Sequence, residues 1–230
     1  MRIVITGANR GMGLELARQY LARGDSVHAG VREPERAAEL AALAESSGGR
    51  LRIHPCDVAL DASVRAFASA VAEPVDLLIN NAGIRNRVRA DGIEELDLDD
   101  AARVFQVNAL GALRVTGALL PLLRRGQGAR VVSVSSGLSS IGDNTSGGAY
   151  GYRMSKAALN MAARSMAHDL KGDGIISVVL SPGWVRTDMG GASAPTPVAE
   201  SVAGLIGIID RLAPGDSGSF MDFRGERIGW

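Results

Sequence analysis

The chain has 230 residues, and its 25 lysines plus arginines are balanced by 25 aspartates plus glutamates. That length suits one α/β domain, 1–230, with a sizeable core. The lack of net charge or of a basic block argues against nucleic acid or an anionic membrane as partner. A single cysteine, Cys56, excludes an internal disulfide and fits a reducing, cytoplasmic setting.

Met1-Arg-Ile-Val-Ile-Thr6 opens the chain as a strand rather than as a signal peptide. No apolar run approaches the ~20 residues of a membrane span. Further strands are expected at Ser26–Val31, Arg50–Asp57, Val75–Asn80, Arg130–Ser135, Ile175–Ser181 and, shorter, Gly218–Asp222. Helical patterns fall between them at about 12–23, 34–46, 61–72, 99–124, 151–171 and 197–212. Such alternation predicts βαβ units in a doubly wound, seven-stranded, mostly parallel sheet. Ligands on such sheets bind outside the carboxyl ends of the strands. Loops at 137–150 and 183–197 both follow strands, where a substrate pocket would be roofed.

The first strand runs into Thr6-Gly7-Ala8-Asn9-Arg10-Gly11-Met12-Gly13 and then an amphipathic helix. Glycines there allow a tight turn and close approach of a pyrophosphate to the helix N-terminus. Strand two ends in Val31-Arg32-Glu33. An acidic residue about twenty positions past the loop would take the 2′-hydroxyl of NAD, whereas arginine accommodates the 2′-phosphate of NADP. Arg10 and Arg32 favour NADP(H) as a two-guanidinium clamp, with Glu33 expected to point to solvent from a first helical turn.

Later in the chain, Asn108 sits mid-helix, where Asn is a mediocre helix former. Ser135, Ser136, Ser139 and Ser140 cluster at and after the end of strand five. Tyr152 and Lys156 then share one helical face, four residues apart. A fixed ammonium favours the phenolate, which turns a Tyr into a general acid/base. Tyr150 is expected to precede that helix. His28, His54 and His168 show no metal-like spacing, and no metal site is expected. Cys56 reads as a small buried residue.

Together, Thr6–Gly13, Asn80-Asn81-Ala82-Gly83, Asn108, Ser135-Ser136, Tyr152/Lys156 and Pro182-Gly-Trp-Val-Arg-Thr187 resemble the short-chain dehydrogenase/reductase family over nearly the whole chain. The segments 139–148 and 182–191 and the ending at Trp230 look like its Sniffer/C-factor-like carbonyl-reductase branch. The resemblance implies a Rossmann-type fold and an oxidoreductase that uses NADP(H) to reduce a small-molecule carbonyl substrate. It implies Gly7, Asn9, Arg10, Gly11, Met12, Gly13 and Arg32 at the cofactor phosphates. Asp57 and Val58 would lie at the adenine, and Asn81, Ala82 and Gly83 at the ribose. Pro182, Gly183, Val185 and Thr187 would lie at the nicotinamide.

Tyr152 is implied as the proton donor. Lys156 would lower its pKa and hold the nicotinamide ribose, and Asn108 would kink its helix and hold a relay water beside Lys156. Ser136 would polarise the carbonyl; counting back from Tyr152 at the commonest family spacing would instead select Ser139. A homodimer or tetramer pairing through the two long helices is implied, and so is an alternative as a signalling protein with little turnover. The 183–197 loop offers only Arg186 and Asp188 as charged anchors, which fits an apolar or adaptable carbonyl compound.

Overall fold

The computed structural model describes residues 1–87 and 92–230. Seven strands form one sheet: β1 (Arg2–Thr6), β2 (Ser26–Val31), β3 (Leu51–Pro55), β4 (Leu77–Asn80), β5 (Arg130–Val134), β6 (Ile176–Ser181) and β7 (Phe220–Asp222). Their spatial order is β3-β2-β1-β4-β5-β6-β7, and every pairing is parallel. The sheet is thus wholly rather than mostly parallel. The chain works outward from β1 to β3, then crosses back so that β4 pairs with the other side of β1. That reversal opens a crevice beyond Thr6 and Asn80.

Helices cover both faces: α1 (Gly11–Ala22), α2 (Ala38–Ser46), α3 (Asp61–Val71), α4 (Leu98–Phe105), α5 (Gly111–Leu123), α6 (Tyr150–Asp169) and α7 (Val198–Arg211). Successive strand residues point to opposite sides. Ile3 and Ile5 pack with Leu16 and Tyr20 of α1 and Leu205 and Ile209 of α7. Val4 packs with Phe67 of α3, Val115 and Leu119 of α5 and Ala163 of α6. Burial on both faces explains why the strands read as continuous apolar runs.

The helix expected over 99–124 is interrupted: α4 and α5 are joined by a π-helical turn, Gln106–Leu110. Together, 98–123 are long and apolar enough by length and composition to cross a bilayer. Val115, Leu119 and Leu123 are instead buried in the core beside the sheet. Residues 34–36 form a separate 3₁₀ turn before α2. Tyr150 is the first residue of α6 rather than lying before it, entered through Ala149 in a left-handed conformation (φ 48°).

Candidate active site

Thr6, at the carboxyl end of β1, ties the two sides of the crevice together. Its Oγ1 accepts from the N–H groups of Asn81 and Ala82, both at 3.1 Å. Asn81 Nδ2 donates back to the carbonyls of Thr6 and Gly7 at 2.9 and 3.1 Å. The side-chain donors of Asn81 therefore hold the frame itself. Gly7 turns at φ 66°, and a Cβ on it would lie 2.8 Å from Ala82 Cα. A Cβ on Gly13 would overlap the Gly7 carbonyl oxygen and come within 2.6 Å of Asn81 Nδ2.

Beyond this cradle, α1 starts at Gly11 with no side-chain cap and no acidic residue in its first turn. Its leading N–H groups and positive dipole end are left for an anion. Across the gap stands Thr187, whose Cγ2 would lie 3.4 Å from a Cβ on Gly11. Asn9 is exposed, while Met12 packs on the core. Asp57, after β3, receives the Ala59 N–H at 2.9 Å, and Val58 is buried against Gly111. These residues fit a dinucleotide laid over the strand ends.

The arginine clamp takes a different form from the expected one. Arg10 Nη1 lies 2.8 Å from Asp188 Oδ2, with both side chains about 70% exposed or more. Arg32 lies 3.4 Å from Glu33, and Glu33 also pairs with Arg36 at 2.8 Å. Glu33 is thus an ion-pair partner rather than a free solvent-facing acid, because the 3₁₀ turn brings Arg36 to its i+3 position. Ion pairs this exposed are worth about 1 kcal/mol or less, so both guanidiniums can exchange partners.

Strand β5 and helix α6 carry the candidate chemical groups. Tyr152 and Lys156 are both buried, one turn apart on α6. The Tyr152 pKa is raised by burial, against which the Arg85 charge and a hydrogen bond from Ser136 act to lower it. Ser136 Oγ meanwhile accepts the Leu138 N–H at 3.2 Å. Lys156 Nζ donates to the Val134 carbonyl at 2.8 Å, and burial lowers its pKa to about 8. Lys156 Nζ stands 6.0 Å from the Tyr152 ring centroid, and the Arg85 guanidinium adds a second cation, 5.3 Å from the same ring.

Ser139 is held elsewhere. Ser135 Oγ donates to Asn160 Oδ1 at 2.7 Å, and Asn160 Nδ2 donates to Ser139 Oγ at 2.7 Å. Ser139 in turn donates to the Ser136 carbonyl. This buried network engages the hydroxyls of Ser135 and Ser139 with Asn160, whereas the Ser136 hydroxyl lies outside it and accepts the Leu138 N–H.

Asn108 lies in the π turn, so the helix deforms where its polar side chain was expected to kink it. Its Oδ1 accepts from the Ile84 N–H at 2.8 Å. Its Nδ2 donates to the Ile84 carbonyl at 2.9 Å and to Ser155 Oγ at 3.0 Å. The side chain therefore staples the segment after β4 to α6, and its two amide hydrogens are not free for a relay water.

Loop 183–197 closes on itself. Val185, buried, bridges Thr196, and Arg186 N–H donates to the Thr196 carbonyl at 3.0 Å. Thr187 Oγ1 caps the Gly190 N–H at 3.1 Å, the Pro182 carbonyl accepts from Ser201 at 2.7 Å, and Gly183 turns at φ 78°. Of the two anchors expected there, Asp188 goes to Arg10 and Arg186 to the Pro195 carbonyl. The charge beside the candidate proton donor is Arg85, which the sequence reading passed over. Its clue was position: it follows Asn80–Ile84 at a strand's carboxyl end.

The histidines form no metal group among the described residues. His28 and His54 are nevertheless paired, ring nitrogens 3.0 Å apart, with Glu73 at 2.9 Å from His28. Cys56 is buried, and its thiol is pushed up to about 12 by burial.

The family model for short chain dehydrogenases matches residues 1–197. The C-signal protein of Myxococcus xanthus is 53% identical over 168 residues, covering 73% of this chain and 100% of that protein. Two solved structures superpose over 100% of this chain. An NADPH-bound carbonyl reductase from chicken fatty liver does so at TM-score 0.93 and 37% identity, covering 98% of that chain. The carbonyl reductase Sniffer of D. melanogaster does so at 0.94 and 32%, covering 99%.

Proposed function

The chain belongs to the short-chain dehydrogenase family, and within it we propose an NADPH-dependent carbonyl reductase that converts an aldehyde or ketone to an alcohol. One observation carries this reading. A buried Tyr152, hydrogen-bonded by Ser136 and one helical turn from Lys156, sits at the strand ends that also hold the glycine cradle. The likeness to a carbonyl reductase solved with NADPH supports the cofactor. So do Arg10 and Arg32 at adjacent strand ends, and the engagement of Glu33 by two arginines.

When bound, NADPH supplies the hydride that reaches the carbonyl carbon. The uncapped start of α1, with Gly7, Gly11 and Gly13, holds the pyrophosphate. Asp57 and Val58 flank the adenine, Ala82 and Gly83 the ribose, and Val185 and Thr187 the nicotinamide carboxamide. Ser136 and Tyr152 direct their hydroxyls at the carbonyl oxygen, aiming donors where negative charge develops. Tyr152 gives up its phenolic proton to that oxygen. Lys156 holds the nicotinamide ribose, and its pKa of about 8 suits it to return a proton to Tyr152 near neutral pH.

The test is NADPH oxidation across aldehydes, quinones and ketosteroids, with NADH as comparator. At least one carbonyl class should be reduced, with NADPH favoured about tenfold or more, as a charge-assisted phosphate contact allows. NADPH that binds but is never consumed would sink the reductase reading. It would favour instead a binding protein with little turnover, the reading to which the likeness to C-signal lends weight.

We also propose a homodimer formed through α4–α6, whose outer faces expose Phe105, Leu113, Met154 and Met161. Sedimentation at micromolar concentration should show a species of twice the chain mass; a monomer there rules the pairing out.

A further inference from the structure

Taking the reductase reading as its basis, we infer that Arg85 reads an anion on the substrate. The carbonyl compounds that fit this site best are α- or β-oxo acids, with a carboxylate at or next to the reacting carbonyl.

Arg85 is placed by its surroundings rather than by chance of a surface rotamer. Asn108 holds Ile84 through both ends of its peptide unit pair, accepting from its N–H and donating to its carbonyl. The Arg85 carbonyl accepts from Arg103 at 3.2 Å. Buried Asp100 takes the next two residues, Asn86 through its side chain at 3.1 Å and Arg87 through its N–H at 2.9 Å. The segment also packs on the start of α6, where a Cβ on Gly151 would meet Asn86 at 2.5 Å.

From that base the guanidinium reaches over the Tyr152 ring, its central carbon 5.3 Å from the ring centroid. Nη1 donates to the Met189 carbonyl of the 183–197 loop at 3.2 Å. Arginine carries five N–H donors, and on the loop side this neutral oxygen accepts from one of them. The neighbouring arginines have acids: Arg87 and Arg103 share Asp100, Arg10 has Asp188, and Arg32 has Glu33. Among the described residues, no carboxylate forms an ion pair with Arg85. A half-buried cation without a counter-charge is costly to hold, and a carboxylate entering beside Tyr152 offsets that cost through a planar, bidentate fit. With the guanidinium centred 5.3 Å from the Tyr152 ring centroid, a carboxylate that it holds lies close to the phenol, which favours the α or β position over a more distant one.

The competing role is that Arg85 only tunes the proton affinity of Tyr152. A matched pair of substrates separates the two: an oxo acid and its methyl ester, assayed with NADPH in the wild-type protein, in Arg85→Gln and in Arg85→Lys. The wild type should favour the acid in kcat/KM by about tenfold or more, as expected for a charged hydrogen-bonded contact. In R85Q the acid-to-ester ratio should fall to about one, chiefly through KM, while R85K should retain part of it. Calorimetry of the matching hydroxy acid on the NADP⁺-loaded protein should show the same loss of affinity in R85Q.

Equal losses for acid and ester would mean that Arg85 acts on Tyr152 alone, and would overturn the anion reading. A wild-type preference for the ester, or a ratio unchanged in R85Q, would overturn it as well. In each of those cases the reductase reading stands, because an ester is still reduced. Reduction of neither substrate, nor of any carbonyl in the wider panel, removes both.

Discussion

Tyr152→Phe should lower kcat/KM for carbonyl reduction by about three orders of magnitude, the usual worth of a positioned proton donor, with NADPH affinity kept. The change removes a single oxygen. The ring keeps its buried place on α6 and its position beneath the Arg85 guanidinium. Only the hydrogen bond with Ser136 is lost from the protein, about 1 kcal/mol of stability. Burial raises the Tyr152 proton affinity, so the protonated form needed for reduction persists through neutral pH. Steady-state rates with NADPH, alongside cofactor binding by fluorescence, read both quantities. A rate within a few-fold of wild type would remove Tyr152 from the proposed chemistry.

Lys156→Met should abolish most activity while making the cofactor-free protein more stable at neutral pH. Burial lowers the folded-state pKa of Lys156 from 10.5 to about 8. At about 1.4 kcal/mol per pH unit, that difference is a penalty of about 3 kcal/mol on the folded protein. Below pH 8 the ammonium is charged both folded and unfolded, and the whole penalty applies. Between about 8 and 10.5 the folded protein gives up this proton while the unfolded chain keeps it, so stability rises with pH. Above 10.5 both are neutral and the penalty is gone.

Methionine fills a similar volume without the charge but forfeits the bond to the Val134 carbonyl. A net gain of about 1–3 kcal/mol near pH 7 is therefore expected, shrinking toward zero by about pH 10.5. Denaturant unfolding of both proteins across that range measures the difference directly. A variant less stable than wild type at pH 7, with no convergence at alkaline pH, contradicts the buried-cation account.

The strands were the most legible part of the sequence. β1 and β2 fall on Arg2–Thr6 and Ser26–Val31 as expected, because a doubly covered parallel strand must be apolar throughout and turn signals bound it. The glycine loop was equally plain, since only glycine tolerates the approach of Ala82 to Gly7 or of Asn81 to Gly13. The π turn at Asn108 was half visible: an Asn among good helix formers marks a weak point, but not which hydrogen-bond register replaces the α pattern.

Side-chain destinations were hidden. Arg10 and Arg32 both lie at strand ends, yet their acidic partners, Asp188 and Glu33, follow from loop paths that no spacing encodes. Arg85 was overlooked for the same reason. A lone arginine after a strand is unremarkable until α6 is laid beside it. Ser136 and Ser139 differ by one 3₁₀ turn, and what sets their surroundings apart is Asn160, far along α6, which binds the Ser139 hydroxyl.

The 183–197 loop satisfies its own backbone through the Val185–Thr196 bridge and the Thr187 cap, and it meets the glycine loop where Thr187 faces Gly11 and through the exposed Arg10–Asp188 ion pair. It is in effect a replaceable cassette. Outside Val185 and Thr187 its side chains are free to drift, or to be exchanged by an engineer, while Ser136, Tyr152 and Lys156 stay fixed on a strand end and a helix. On the proposed reading, the part of selectivity that the loop carries is therefore inheritable apart from the chemistry.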